Sequence, residues 1–400
     1  MSDWLSSVSR LAGELAWQAR RAAGAVGRAA GDAYHVVGYR GYASASRVLV
    51  LARVLQDEGI ASPKQEQSRW SNLLATLKRI ESDPLPFARI RVTIGGVSQD
   101  VVADEEGFVR EWIPLAEPLT PAGWHDVGLE LLEAPRADRI SAPVIRAPVL
   151  VPPSSARFGV VSDIDDTVIQ SDVSNFLRAA RIVLMENALT RLPFPGVAAF
   201  YRALAEGASG GEHNPVFYVS SSPWNIHDVI EGFLAAQKIP VGPLLLRDWD
   251  LQLRLHDHHA HKMKAIREIF DAYPSLPFVL VGDSTQEDPE IYSAIVREYP
   301  ARVLAVYIRS VSPRPERVSR IQELATEVRT AGSVLVLADD TLAAARNAVE
   351  KGFIAESALP EIEGERAEDE GRGVAKEPSP GVEAERGPTV VVDPQAPAAP

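Results

Sequence analysis

Residues 158–167 read Phe158-Gly159-Val160-Val161-Ser162-Asp163-Ile164-Asp165-Asp166-Thr167, an apolar run that ends in carboxylates. The run has the length and composition of a buried strand. On a strand, side chains two apart share a face, so Asp163 and Asp165 point into one site. In open α/β sheets that site lies at the carboxyl end of the strands. One such carboxylate can attack a phosphoryl group while the other handles the proton.

Three later stretches carry further chemistry-bearing residues, two of them after an apolar run. Pro215-Val216-Phe217-Tyr218-Val219 runs into Ser220, Ser221 and Ser222. A hydroxyl there, among backbone N–H groups, can hold a phosphate oxygen. Lys262 and Lys264 both open a helical pattern at 261–266. A lysine is a compact charge suited to a phosphate dianion, and spacing leaves both candidates open. Phe278-Val279-Leu280-Val281-Gly282 then leads to Asp283, with Asp288 five positions on. Carboxylates at a strand end suit a hard cation such as Mg²⁺, which also takes phosphate oxygens.

Taken together, these stretches resemble the four motifs of the haloacid-dehalogenase (HAD-like) superfamily. Within it the chain is most similar to phosphatidate phosphatases of the actin-patch type. The likeness rests on Asp163-Ile164-Asp165-Asp166-Thr167, Tyr218-Val219-Ser220, Ser222-Pro223-Trp224, His261-Lys262 and Gly282-Asp283-Ser284. Gln286 and Asp288-Pro289-Glu290-Ile291-Tyr292 belong to it as well. Upstream it reaches Gly38-Tyr39-Arg40-Gly41-Tyr42 and Asp104-Glu105-Glu106-Gly107-Phe108, so that it covers about 36–355. Thr285 departs from it, standing where the family has glycine.

The resemblance implies a phosphomonoesterase with an aspartyl-phosphate intermediate, turning phosphatidate into diacylglycerol and phosphate. It implies Asp163 as nucleophile, Asp165 as acid and then base, and Thr167 as a positioning residue. Asp163, Asp165 (through its carbonyl), Asp283 and Asp288 would hold or support Mg²⁺. Ser220, with Ser221 beside it, and Lys262 would bind the substrate's phosphoryl oxygens. Two other readings stay open: a soluble phosphatase or phosphotransferase on a non-lipid phosphomonoester, and a catalytically silent adaptor. The clustering of acids disfavours the adaptor.

Four regions follow along the chain. In 1–35, Trp4, Leu5, Val8, Leu11, Ala12 and Leu15 recur at helical spacing among arginines. Peripheral contact with a lipid surface and packing on protein both fit this segment. Residues 36–150 show β-type runs at 47–54, 88–94, 108–112 and 125–131, that at 88–94 cleanly alternating, with one helix at 65–81. This pattern indicates a small antiparallel β-sandwich. Residues 156–356 alternate strand and helix, with helices at 173–188, 196–206 and 226–237. A doubly wound, Rossmannoid parallel sheet of the α/β class follows. Residues 357–400 are rich in Pro, Gly and Ala. From 361 onward they carry ten acidic against four basic residues, the composition of a disordered tail.

The whole chain, at 400 residues and net charge −13, lacks the basic face that nucleic-acid binding requires. It contains no cysteine, which removes disulfides and thiolate chemistry and agrees with a cytoplasmic place, extended by the lipid resemblance to the inner membrane surface. His256-Asp257-His258-His259-Ala260-His261 gathers four of the eight histidines. A transition-metal site and a solvent-facing cluster beside Lys262 are its competing readings, the second favoured by the lack of partner motifs.

Overall fold

The Gly95-Gly96 pair shows how local sequence sets the first domain. Both glycines have positive φ, 55° and 75°, which a tight hairpin turn requires. They join β3 (Arg89–Ile94) to β4 (Val97–Val102). This computed structural model describes residues 33–57, 84–133, 143–165, 167–168, 194–247, 258–311, 314–374 and 390–392. The segment 1–32 and the expected helices at 65–81 and 173–188 lie outside the described residues.

Before that hairpin come β1 (Ala33–Ala43) and β2 (Arg47–Asp57); after it come β5 (Phe108–Pro114), β6 (Gly123–Glu133) and β7 (Ile145–Val151). Hydrogen bonds link all seven strands in the order β4-β3-β6-β7-β1-β2-β5. Every pairing is antiparallel except that of β1 with β7. One face closes on its own core of Val48, Val50, Val54, Ile90, Val92 and Leu129. On β1, β2 and β5 the opposite face is buried too: Tyr39, Tyr42, Leu49, Leu51 and Phe108 pack into the core of the second domain. Burial on both faces is why 47–54 reads as a nearly unbroken apolar run.

The second domain alternates strand and helix. Its elements are β8 (Gly159–Ser162), α1 (Val197–Glu206), β9 (Val216–Pro223), α2 (His227–Ala236), β10 (Leu244–Arg247) and α3 (His258–Ala272). They continue with β11 (Phe278–Asp283), α4 (Asp288–Glu298), β12 (Val303–Arg309), α5 (Pro315–Thr330), β13 (Leu335–Ala338) and α6 (Thr341–Glu350). The sheet order is β10-β9-β8-β11-β12-β13-β14, where β14 is Val390–Val392. All pairings are parallel but the last, β13 with β14. From β8 the chain steps outward through β9 and β10, then returns to the other side of β8 with β11. The strand order therefore reverses between β8 and β11, and a ligand crevice belongs at their carboxyl ends. Both strands are buried along their whole length, as helices on the two sides of a parallel sheet demand.

The tail corrects the expectation of disorder from 357. Residues Leu359–Val374 form helix α7, and Ile362 is fully buried. Its acids have specific partners. Asp369 Oδ2 accepts from the Gly196 N–H at 3.0 Å, and Glu365 Oε2 from the Ala199 N–H at 3.0 Å. Both carboxylates thus sit on the open amides at the start of α1, where negative charge is favoured. Arg202 of α1 pairs with Glu361 at 2.6 Å and with Glu365. Composition averaged over forty residues hid an amphipathic segment whose acids serve another helix. No helix among the described residues is long and apolar enough to cross a membrane.

If α7 is part of the fold, Ile362→Ala lowers unfolding stability by about 2–4 kcal/mol. Chemical denaturation measures this, and an unchanged midpoint would return α7 to the solvated state.

Candidate active site

Asp163 follows β8 directly and Asp283 ends β11. These strands are parallel neighbours, with Val281 opposite Ser162. The Asp163 N–H donates to the Val281 carbonyl at 2.9 Å, which extends the pairing to the carboxylate itself. Asp288 enters from the first turn of α4 and accepts from the Asp283 N–H at 3.2 Å through Oδ2. Ligand atoms of Asp163, Asp283 and Asp288 lie within 4.8 Å of one another, and none of the three residues is exposed. Gly282 is required here: a Cβ at this position would meet Asp288 Oδ2 at 2.5 Å.

One cation faces these acids. Lys262, only 3% exposed, reaches from α3 to Asp288 Oδ1 at 2.7 Å in a hydrogen bond. Its 3.0 Å approach to Asp163 Oδ1 is an ion pair without hydrogen-bond alignment. Lys264 is exposed, so of the two lysines Lys262 is the one that faces the acids. Burial alone would lower the Lys262 pKa, but Asp163 and Asp288 hold it above its usual range.

Three buried carboxylates and one ammonium leave an excess of negative charge. Burial pushes the Asp163 carboxyl well up; Lys262 opposes this, and Asp288, Asp165 and Asp283 add to it. Burial, then the Asp288 charge, pushes Asp283 up to about 6. Asp163 Oδ2 and Asp283 Oδ2 are buried with no hydrogen-bond partner. Unpartnered hard oxygens in one small space fit a hard divalent cation. No histidine joins this acidic group among the described residues.

Asp165 has a different environment. Its Oδ2 accepts from Ser220 Oγ at 2.8 Å and from Ser222 Oγ at 3.0 Å, while the Ser222 N–H donates to Ser220 Oγ at 2.9 Å. The end of β9 therefore presents alternate hydroxyls to one carboxylate oxygen. Ser221 belongs to the other side of the strand by the same alternation, and its buried Oγ has no hydrogen-bond partner. The structure thus brings Asp163, Asp165, Ser220, Lys262, Asp283 and Asp288 together, and leaves Ser221 apart from Asp165. The Thr167 N–H closes a turn onto the Ile164 carbonyl at 3.3 Å. Its buried hydroxyl is unpartnered, and the residue lines a cavity of about 30 Å³ with Tyr201 and Arg309.

Three contributors escaped the sequence reading as site residues. Ser222 was legible from the i, i+2 alternation on β9. Gln286 donates through Nε2 to the Asp165 carbonyl at 3.4 Å and lies 3.5 Å from Lys262 Nζ through Oε1. Arg317 of α5 donates to the Ser284 carbonyl at 2.9 Å, to the Gln286 carbonyl and to Glu290, clamping the Asp283–Asp288 turn from behind. Nothing near it in sequence marks Arg317. At the departure from the family pattern, both the N–H and the hydroxyl of Thr285 donate to Asp283 Oδ1, so the turn gains a donor.

Of the histidine cluster, His256 and Asp257 lie outside the described residues. His259 faces Glu287 at 3.5 Å. Burial, then the Arg110 charge, draws the His261 imidazole down to about 4.

Residues 158–310 match the family model described as "Phosphatidate phosphatase APP1, catalytic domain". Phosphatidate phosphatase APP1 of Saccharomyces cerevisiae is 29% identical over 174 residues, which are 42% of this chain and 29% of that protein. Uncharacterized protein C29B5.04c of Schizosaccharomyces pombe is 26% identical over 264 residues, 63% of this chain and 42% of that one. The matches thus span less than half the length of these two relatives. A carbohydrate acetylesterase from Xanthomonas citri, 12% identical over 72% of both chains, has a TM-score of only 0.24 and bears on neither fold nor function.

The raised Asp283 pKa gives a test of the charge excess. With a folded value of about 6 against an ordinary 3.8, the fold binds this proton more tightly than the unfolded chain does. Its stabilising contribution is fully present below pH ~4 and is lost as pH rises through ~6. In metal-free protein, Asp283→Asn should therefore raise stability at pH 7.5 by roughly 1–3 kcal/mol, the gain vanishing towards pH 4. The amide keeps the Oδ1 acceptor that Thr285 and Gln286 use. Thermal unfolding in a chelator across this pH range checks it, and a uniform loss at every pH contradicts it.

Proposed function

We propose that the chain, whose residues 158–310 match the phosphatidate phosphatase APP1 catalytic-domain model, is a Mg²⁺-dependent phosphatase of HAD-like fold. It acts on a phosphomonoester through an aspartyl-phosphate on Asp163, and phosphatidate is the substrate. The observation that supports this best is the Asp163 carboxylate itself. It is buried, its Oδ2 has no hydrogen-bond partner, and Lys262, Asp283 and Asp288 surround it.

In this reading Asp163 attacks phosphorus as the bond to the lipid oxygen breaks. The leaving alkoxide takes its proton from Asp165. Asp165, now ionised, draws a proton from a water that attacks the phosphorus, freeing inorganic phosphate and restoring Asp163. The hydroxyls of Ser220 and Ser222 hold one oxygen of Asp165 in place for both transfers. Lys262 places positive charge beside the transferring group, the electrostatic help this chemistry needs. For Ser220 to bind a phosphoryl oxygen as well, its single proton must turn away from Asp165.

Asp163, Asp283 and the Asp165 carbonyl would hold Mg²⁺. The ion supplies charge neutralisation for the phosphoryl oxygens when bound. Both Asp288 oxygens already serve Lys262 and the Asp283 N–H, which makes Asp288 a support for that set.

Phosphate release is measured from phosphatidate in mixed micelles and from a panel of soluble phosphomonoesters. Asp163→Asn should fold and lose at least about 10³-fold in kcat. A chelator should abolish turnover and Mg²⁺ should restore it. Equal rates for variant and parent remove the covalent mechanism. Turnover confined to soluble esters removes the lipid substrate.

A further inference from the structure

The motifs Gly38-Tyr39-Arg40-Gly41-Tyr42 and Asp104-Glu105-Glu106-Gly107-Phe108 lie in the antiparallel domain and contribute nothing to the acidic site directly. Their placement gives them a task. Trp224 follows Ser220-Ser221-Ser222-Pro223 at the end of β9 and is 5% exposed. Tyr39 packs on its ring at 4.8 Å between centroids and Phe108 at 4.9 Å. His227, one turn on, closes the group at 4.5 Å from Tyr39.

Polar contacts fix the same corner. Arg53 of β2 donates through Nη1 to Asn225 Oδ1 at 2.9 Å and through Nε to the Glu106 carbonyl at 3.2 Å. Asp104 builds the turn that presents Phe108, accepting from the Glu106 and Phe108 N–H groups at 2.9 and 2.8 Å. The Gly107 carbonyl accepts from the Val54 N–H at 2.8 Å, which ties that turn to β2. Arg40 pairs with Glu231 of α2 and Arg110 with Glu268 of α3, the helix that carries Lys262. The domain therefore grips the catalytic sheet on both sides of the serine-bearing turn.

We infer that the antiparallel domain is a working part of the catalytic site, in which Tyr39, Phe108 and Arg53 are positioning residues. They immobilise Trp224 and Asn225, and through them hold Ser222 and Ser220 against Asp165. The route is short: one residue, Pro223, separates Trp224 from Ser222, and it restricts the backbone. A rigid aromatic pocket at this point sets the hydroxyl geometry that the end of a strand cannot set alone. The inference rests on the catalytic role proposed for Asp165.

Phe108→Ala and Arg53→Gln test it, beside Ser222→Ala and the two double variants. Ile362→Ala is the control, a destabilising change far from this corner. Turnover of phosphatidate in mixed micelles and of p-nitrophenyl phosphate is read together with hydrogen exchange of peptides spanning 216–226. Phe108→Ala and Arg53→Gln should each lower kcat on the order of ten- to a hundredfold, with little change in KM. Combined with Ser222→Ala, each should add less than its own loss, because much of its effect passes through that hydroxyl. Exchange in 216–226 should quicken, and Phe108→Leu should recover part of both effects. The control should alter neither kcat nor exchange there. Additive losses, unchanged kcat or unchanged exchange overturn the inference, and Arg53→Gln decides it should Phe108→Ala fail to fold. An inactive parent refutes the proposed function, while the exchange data still decide whether the domain holds this turn.

Discussion

Three buried carboxylates share one small space, and the Lys262 ammonium opposes them. Asp163, Asp283 and Asp288 would repel one another apart unless the backbone held them, because buried like charges are costly to bring together. The fold supplies that restraint. β8 and β11 are adjacent and parallel, so their carboxyl ends cannot separate without breaking the sheet. Asp288 is tied to the Asp283 amide and to Lys262, and Arg317 grips the intervening turn from α5. The site is thus a store of unfavourable electrostatic energy that the core offsets. It is poised to take up a proton or to receive a group that brings positive charge.

The two aspartates of the Asp163-Ile164-Asp165 stretch diverge for the same reason. Asp163 sits among acids beside a lysine and keeps an unpartnered oxygen. Asp165, two residues away, has an oxygen bound by two hydroxyls. Identical side chains thus acquire different surroundings, and the division of roles proposed for them rests on that difference.

The sequence made the core of this legible. Period-two spacing put Asp163 and Asp165 on one face, and the apolar runs before Asp163, Ser220 and Asp283 marked strands that end at a common rim. The doubly wound order followed from the alternation. What stayed hidden depended on tertiary neighbours. Lys262 and Lys264 are indistinguishable by spacing, and only the burial of α3 separates them. Arg317 acts on a turn about thirty residues away, with no local signature. Helix α7 reads as a solvated tail because its acids look superfluous until α1 supplies unpaired amides. The upstream Gly-Tyr-Arg-Gly-Tyr stretch hides its placement, since nothing in its own periodicity says which of its faces meets another domain.

That second face gives the last step. Strand β2 buries Val48, Val50 and Val54 towards its own domain and Leu49 and Leu51 towards the catalytic core. A strand with two apolar faces cannot remain in a domain that stands free in water, so the two units must fold against one another. The polar contacts confirm the direction: arginines at 40, 53 and 110 come from the antiparallel domain, and their partners Glu231, Asn225 and Glu268 from the catalytic one. The aromatic contacts of Tyr39 and Phe108 with Trp224 set the register of that joint. A joint so specific, placed beside the serines that bind Asp165, transmits order from one domain into the chemistry of the other. The antiparallel domain is therefore better regarded as the rear wall of the site than as an appended module.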